Sequence, residues 1–221
     1  MHRRCSINMD VLLDGNETIR YSRHLNLPQV GLEGQIKLKQ ASIIVVGAGG
    51  LGSPVLLYLA AVGVGKIGII DNDVVELSNL QRQIIHSNSK IGESKAESAA
   101  LRISDLNPRI EVVPMNLRLD NENVLDILSG YDVVIDGTDN FETRYIIGDA
   151  CEKLEIPWIF GSIHRFDGQV STFNYKNGPN YRDLFPSPPP LELAPNCEEA
   201  GVLGVLPGMI GTIQATESIK I

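Results

Sequence analysis

Residues Gly47-Ala48-Gly49-Gly50-Leu51-Gly52 form a G-x-G-x-x-G turn directly between a β-branched apolar run and an apolar stretch of helical length. Few folds accept that junction. Ser42-Ile43-Ile44-Val45-Val46 has the unbroken hydrophobicity of a strand buried on both faces, and the stretch from about Leu51 to Val62 reads as a helix. Glycines at the junction let the backbone reverse tightly and approach a ligand closely, and the N-terminus of the helix that follows favours an anion. A second strand, Lys66 to Asp71, ends on Asp71-Asn72-Asp73, with Asp71 placed 19 residues after Gly52. A carboxylate at that position meets ribose hydroxyls in a nucleotide-binding βαβ unit.

The rest of the chain keeps the same alternation. Ser94 to Leu106 carries apolar residues at helical spacing and is stopped by Asn107-Pro108; Ile110 to Met115 is a third strand. Val124 to Leu128 predicts a short helix, Val133 to Asp136 a fourth strand, Thr143 to Leu154 a helix and Trp158 to Gly161 a fifth strand. No internal repeat is visible. Such an order gives an α/β fold with a Rossmann-like, doubly wound, mainly parallel sheet. Gln169 to Tyr175 alternates like an antiparallel strand and extends one edge. Asn177 to Pro195, with Pro186, Pro188, Pro189 and Pro190 close together, is expected to be a long loop without regular structure. Met209 to Ile221 reads as a helix with no C-cap, so the end looks truncated.

At 221 residues the chain suits one large domain whose core needs neither disulfides nor metal. A formal net charge of −8 argues against nucleic acid as main partner, because phosphate binding calls for a concentrated basic face. The apolar run from Ser53 to Val64 is too short to span a bilayer, so no membrane partner is expected. The three cysteines leave one unpaired in any scheme, which suits a reducing cytoplasm.

A glycine fingerprint of this kind usually marks NAD or FAD, which makes an oxidoreductase the competing reading. The residues after the second strand weigh against it. Asp73, Ser78-Asn79-Leu80-Gln81-Arg82-Gln83 and Lys95 lie on the stretch entering the next helix. A dinucleotide pyrophosphate carries about two negative charges and can rely largely on a helix end. A triphosphate carries roughly four, and needs cations together with a metal held by a carboxylate. Arg82 and Lys95 can supply the cations, and Asp139, in Asp136-Gly137-Thr138-Asp139-Asn140 after the fourth strand, can hold magnesium. The bland alternative is that Arg82 and Lys95 are solvated surface charges.

These segments, preceded by Arg20-Tyr21-Ser22-Arg23, occur in an order that resembles the MoeB/ThiF/HesA family of adenylating enzymes, relatives of the ubiquitin-activating enzymes. The resemblance runs from about Ile19 to the last residue, leaving residues 1–18 as an N-terminal extension. Asn180-Tyr181-Arg182-Asp183-Leu184-Phe185-Pro186 and the stretch from Gly201 to Pro207 are most similar to the MoeB branch. The resemblance implies ATP-dependent adenylation of the C-terminal glycine carboxylate of a ubiquitin-like sulfur carrier ending in Gly-Gly, for molybdopterin, thiamine or tRNA thiolation. It also implies that Gly47, Gly49, Gly50 and Gly52 approach the nucleotide and that Asp71 holds its ribose. Asp73, Ser78, Leu80, Gln81 and Asn140 line the same site, while Asn79, Arg82 and Lys95 meet the phosphates and Asp139 the magnesium. Arg23 matches an arginine that reaches the triphosphate from the other subunit of a homodimer. A catalytically idle binding subunit is a further alternative.

One departure from the family pattern stands out, and one match to it leaves its role open. Many relatives bind zinc through two Cys-x-x-Cys pairs, and the first would fall at Asn180 to Asp183, where both cysteines are replaced; no zinc is expected. Cys197 stands where many relatives carry a cysteine for sulfur or thioester transfer, and the resemblance allows a separate sulfur donor protein as a partner. Glu198 and Glu199 beside it disfavour the thiolate, which leaves a functional thiol and a bystander both open.

Overall fold

Buried β-branched runs build the sheet. The structure, a computed structural model, describes residues 12–189 and 201–221. Its strands are β1 (Ser42–Val46), β2 (Lys66–Ile70), β3 (Glu111–Met115), β4 (Val133–Asp136), β5 (Trp158–His164) and β6 (Asp167–Phe173), in the spatial order β3-β2-β1-β4-β5-β6. The first five run parallel, with Ile44 opposite both Gly68 and Val134, and β6 returns antiparallel along β5. Every residue from Ile43 to Val46 is buried because helices cover both faces of the sheet.

One face is covered by α4 (Gly52–Val62) and α5 (Lys95–Leu106), packing Leu56, Leu59 and Ile103 against Ile67 and Ile69. The other carries α6 (Val124–Leu128) and α7 (Phe141–Leu154), with Leu128, Ile147 and Trp158 around Val134. Strand order reverses between β1 and β4, so the loops leaving their carboxyl ends diverge and open a crevice there. That placement of a binding site follows from connectivity alone.

Three N-terminal helices, α1 (Gly15–Arg20), α2 (Ser22–Leu25) and α3 (Gly31–Gln40), sit at the opposite pole. Asp14 and Glu17 close a capping box on α1, and Glu17, almost fully buried, pairs with Lys39 at 2.8 Å. Tyr21 lies against Gly63, the left-handed cap of α4, and its hydroxyl accepts a hydrogen bond from Asn107 Nδ2 at 2.9 Å. The same amide donates to the Ala60 carbonyl, tying the ends of α4 and α5 to the N-terminal helices.

The expectation of no regular element between Asn177 and Pro195 fails at Asn180. A short helix, α8 (Tyr181–Leu184), forms because Asn180 and Asp183 exchange side chain–backbone hydrogen bonds at 2.9 Å before the prolines begin. Its Tyr181 ring enters a cluster with Tyr145, Trp158 and Phe160, and Arg182 makes a two-pronged ion pair with Asp149 at 2.6 and 2.7 Å. The last helix, α9 (Val205–Lys220), starts earlier than its apolar pattern indicates and packs on α4, β5 and β6. Among the described residues no helix is long and apolar enough to cross a membrane.

Candidate functional site

The crevice at the β1–β4 switch point is floored by the glycine turn. Gly47 adopts φ +96°, a region closed to ordinary side chains, and donates to the Ile70 carbonyl at 2.7 Å. A Cβ on Gly52 would overlap the Gly47 carbonyl oxygen, a backbone atom that cannot swing away. Gly52→Ala should therefore cost about 3 kcal/mol of folding free energy, read from chemical denaturation; an unchanged midpoint would show that the turn is not tightly closed.

Ala48 anchors the turn from both ends of its residue. Its N–H donates to Asp71 Oδ2 at 2.8 Å, and its carbonyl lies 3.0 Å from His86 Nε2. A carbonyl can only accept, so Nε2 carries the proton and Nδ1 accepts from the Ser98 hydroxyl at 2.9 Å. Burial pushes the His86 pKa down, in keeping with a neutral ring. Asp71 uses its other oxygen to accept from the Asp73 N–H at 2.9 Å. Burial raises the Asp71 carboxyl above the usual range, against the pull of both N–H bonds and of Lys95.

Opposite the turn stands Lys95, the first residue of α5 and only 7% exposed. Its ammonium is 2.9 Å from Asp73 Oδ2, whose side chain is 63% exposed. The solvated-surface reading of Lys95 is thereby excluded. Asn79, Arg82 and Gln83 face the same cleft. The Arg82 and Gln83 N–H groups both bond the Asn79 carbonyl, so the three residues follow helical spacing along one side of a turn. Gln83 was not among the expected contacts, yet it is 4% exposed and its Oε1 has no partner among the described residues. The i, i+3, i+4 spacing from Asn79 is the signal that finds it.

The far wall comes from the loop after β4 and the start of α7, with Thr138, Asp139, Asn140 and Arg144 lining the cleft and Ile163 and Val202 closing it. Asp136, fully buried, accepts from the Thr138 N–H and hydroxyl at 2.8 and 2.6 Å. Burial pushes its carboxyl upward, opposed chiefly by the Arg144 guanidinium. Asp139 is exposed and makes no hydrogen bond or ion pair among the described residues.

Of the remaining expected residues, Gly47, Gly49, Gly50, Asp71 and Asp73 line the cleft. Gly52 acts within the turn. Ser78 is exposed with its hydroxyl 3.2 Å from Glu76, Gln81 packs beneath Gly204, and Leu80 lines no part of the cleft. Arg23 is exposed on α2, beside the far end of α4, and does not line this cleft. Cys197 lies outside the described residues.

A triphosphate nucleotide fits these walls: a side-chain-free turn at a helix start and a buried ammonium surround one space. Among the described residues no three His, Cys, Asp or Glu side chains group to hold a metal. A single carboxylate completed by phosphate oxygens and water is, however, the habit of magnesium, and Asp139 is free for it.

Comparison with known proteins shows the family to which the chain belongs. The ThiF family model matches residues 21–221. A probable molybdopterin-synthase adenylyltransferase of Porphyra purpurea is 57% identical over 93% of this chain and 54% of its own. A sulfur carrier protein adenylyltransferase of Thermus thermophilus is 50% identical over 93% of this chain and 78% of its own. The chain spans about half the length of several of its curated relatives. The crystal structure of E. coli MccB with ATP shares the fold, at TM-score 0.73 and 23% identity, over 91% of this chain and 62% of that one. A glycine turn, a buried lysine and a free carboxylate around one crevice thus occur in a chain that belongs to the ThiF family.

Proposed function

We propose that residues 19–221 form an adenylation domain, preceded by an extension over 1–18, that uses ATP to activate the C-terminal glycine carboxylate of a ubiquitin-like sulfur carrier ending in Gly-Gly. The observation that carries this reading is Lys95. A buried ammonium facing the glycine turn is costly unless it meets an anion, and Asp73 alone, largely solvated, uses little of its charge. A triphosphate gives it that partner. The relatives' names, which include sulfur carrier and molybdopterin-synthase adenylyltransferases, support the class of acceptor.

The chemistry asks little acid–base work of the protein. A C-terminal carboxylate is ionised at neutral pH, so its oxygen attacks the α-phosphorus unaided while the bond to the bridging oxygen breaks and pyrophosphate leaves. Asp71 holds the ribose, and the glycine turn brings the phosphates to the end of α4. Asn79, Arg82, Gln83 and Lys95 surround the negative charge that grows on pyrophosphate. Asp139 would hold magnesium, which when bound would supply Lewis-acid stabilisation of the same charge. No thiol enters this step, so Cys197 is assigned to later sulfur transfer, with a separate sulfur donor protein. We assign the active species to a cytoplasmic homodimer in which Arg23 serves the partner's cleft, and no zinc.

Calorimetric titration tests the nucleotide assignment. ATP with magnesium should bind and NAD should not, and adding a Gly-Gly-ended carrier should start pyrophosphate exchange into ATP. An NAD isotherm without an ATP signal would overturn the proposal.

A further inference from the structure

We infer that Arg144 is the positioning residue that fixes Asp139 for a nucleotide-bound divalent cation, an inference that rests on the adenylation reading above. The Asp139 carboxylate makes no hydrogen bond or ion pair among the described residues, yet its neighbours are held from several sides. Arg144 Nη2 donates to the Thr138 carbonyl at 2.9 Å, the acceptor immediately before Asp139. The Thr138 N–H and hydroxyl are taken by Asp136 at 2.8 and 2.6 Å, and the Asp136 carbonyl accepts from Gln214 on α9 at 2.7 Å. On the other side Asn140 caps α7 through the Thr143 N–H at 2.9 Å. The metal-facing carboxylate is thus the one unrestrained side chain on a restrained loop.

Arg144 is suited to that role and is more than a buried countercharge. It is 4% exposed, and its guanidinium lies 5.5 and 5.4 Å from the ring centres of Phe141 and Phe160. Its Nε is 3.6 Å from Asp136 Oδ2, and among the described residues neither atom has a hydrogen-bond partner. An arginine present only to neutralise Asp136 would be expected to turn that edge into a direct hydrogen bond. Here the two rings fix its plane, and the bond it does make goes to the Thr138 carbonyl. Groups that hold a metal-binding carboxylate through its surroundings tune affinity by about 10–100-fold, although they never touch the ion.

Two measurements separate positioning from plain structural support. The first is Mn²⁺ binding to the protein–ATP complex without carrier, read by electron paramagnetic resonance. The second is AMP binding without metal, read by calorimetry, which reports the glycine turn and Asp71. Arg144→Lys keeps the charge beside Asp136 but replaces a planar fork by one amine. It should weaken Mn²⁺ binding by about tenfold and leave AMP affinity unchanged. Arg144→Met, which removes the donor, should weaken Mn²⁺ further if it folds. Mn²⁺ affinity at the parent value in Arg144→Lys, or Mn²⁺ and AMP affinities falling together, would overturn the inference. Asp139→Asn, measured beside them, identifies a failure of the underlying reading. If it leaves Mn²⁺ binding unchanged, Asp139 holds no metal and Arg144 has nothing to position.

Discussion

Replacing Lys95 by alanine is expected to lower carrier-dependent ATP–pyrophosphate exchange by a factor of about 10²–10³ while the protein stays folded. The ammonium sits in a nearly dry wall of the cleft, where a fixed charge acts on developing negative charge with little screening. Its ground-state partner, Asp73, is largely solvated and can return to water, so removal leaves no stranded buried charge. The Lys95 N–H bond to the Asp73 carbonyl is a backbone contact and survives the substitution. Lys95→Arg should not restore the rate, because a wall that leaves lysine 7% exposed has little room for a guanidinium. Exchange and thermal melting measured on one preparation decide the matter. Exchange at the parent rate would remove Lys95 from catalysis, and a collapsed melting transition shared by both variants would assign it to the fold.

Local pattern carried much of this structure, and long-range packing carried what it could not. The run Ser42 to Val46, the glycines and the alternation of strands and helices announced the sheet, because burial on both faces and reversal of the chain are properties of neighbouring residues. Lys95 and Asp139 were singled out by charge arithmetic, and the structure lines one cleft with both. Arg144 and Gln83 were passed over for a physical reason. Nothing beside Arg144 in the chain shows that it folds back over the loop between β4 and α7 to the Thr138 carbonyl, and Gln83 differs from Gln81 only by which side of a turn it takes. The helix at Tyr181 was hidden by the prolines that follow it, although its Asn180–Asp183 box was there to be read. His86 holds the Ala48 carbonyl from 38 positions away, a contact that no local pattern announces.

Mixing an inactive Arg23→Ala chain with an inactive Arg82→Ala chain should restore exchange to about a quarter of the wild-type level. The expectation comes from distance. Arg23 follows Tyr21, which lies on Gly63 at the carboxyl end of α4, whereas the glycine turn is at the amino end of the same helix. Eleven helical residues separate those ends by about 16 Å, farther than an arginine side chain extends. If Arg23 serves a nucleotide at all, it must serve one bound to another copy. Each variant alone then spoils both sites of a homodimer, one through its own Arg82 and the other through the arginine it offers across the interface, and should lose a factor on the order of 10². Random exchange makes half the dimers mixed. In a mixed dimer both defects fall on one site, leaving the other with an intact Arg82 and an intact partner Arg23, so about one site in four recovers. A gain on mixing, absent when the two preparations are assayed separately and summed, is the positive result. Failure to recover despite subunit exchange, shown by mass spectrometry of differently tagged chains, would place Arg23 outside the chemistry.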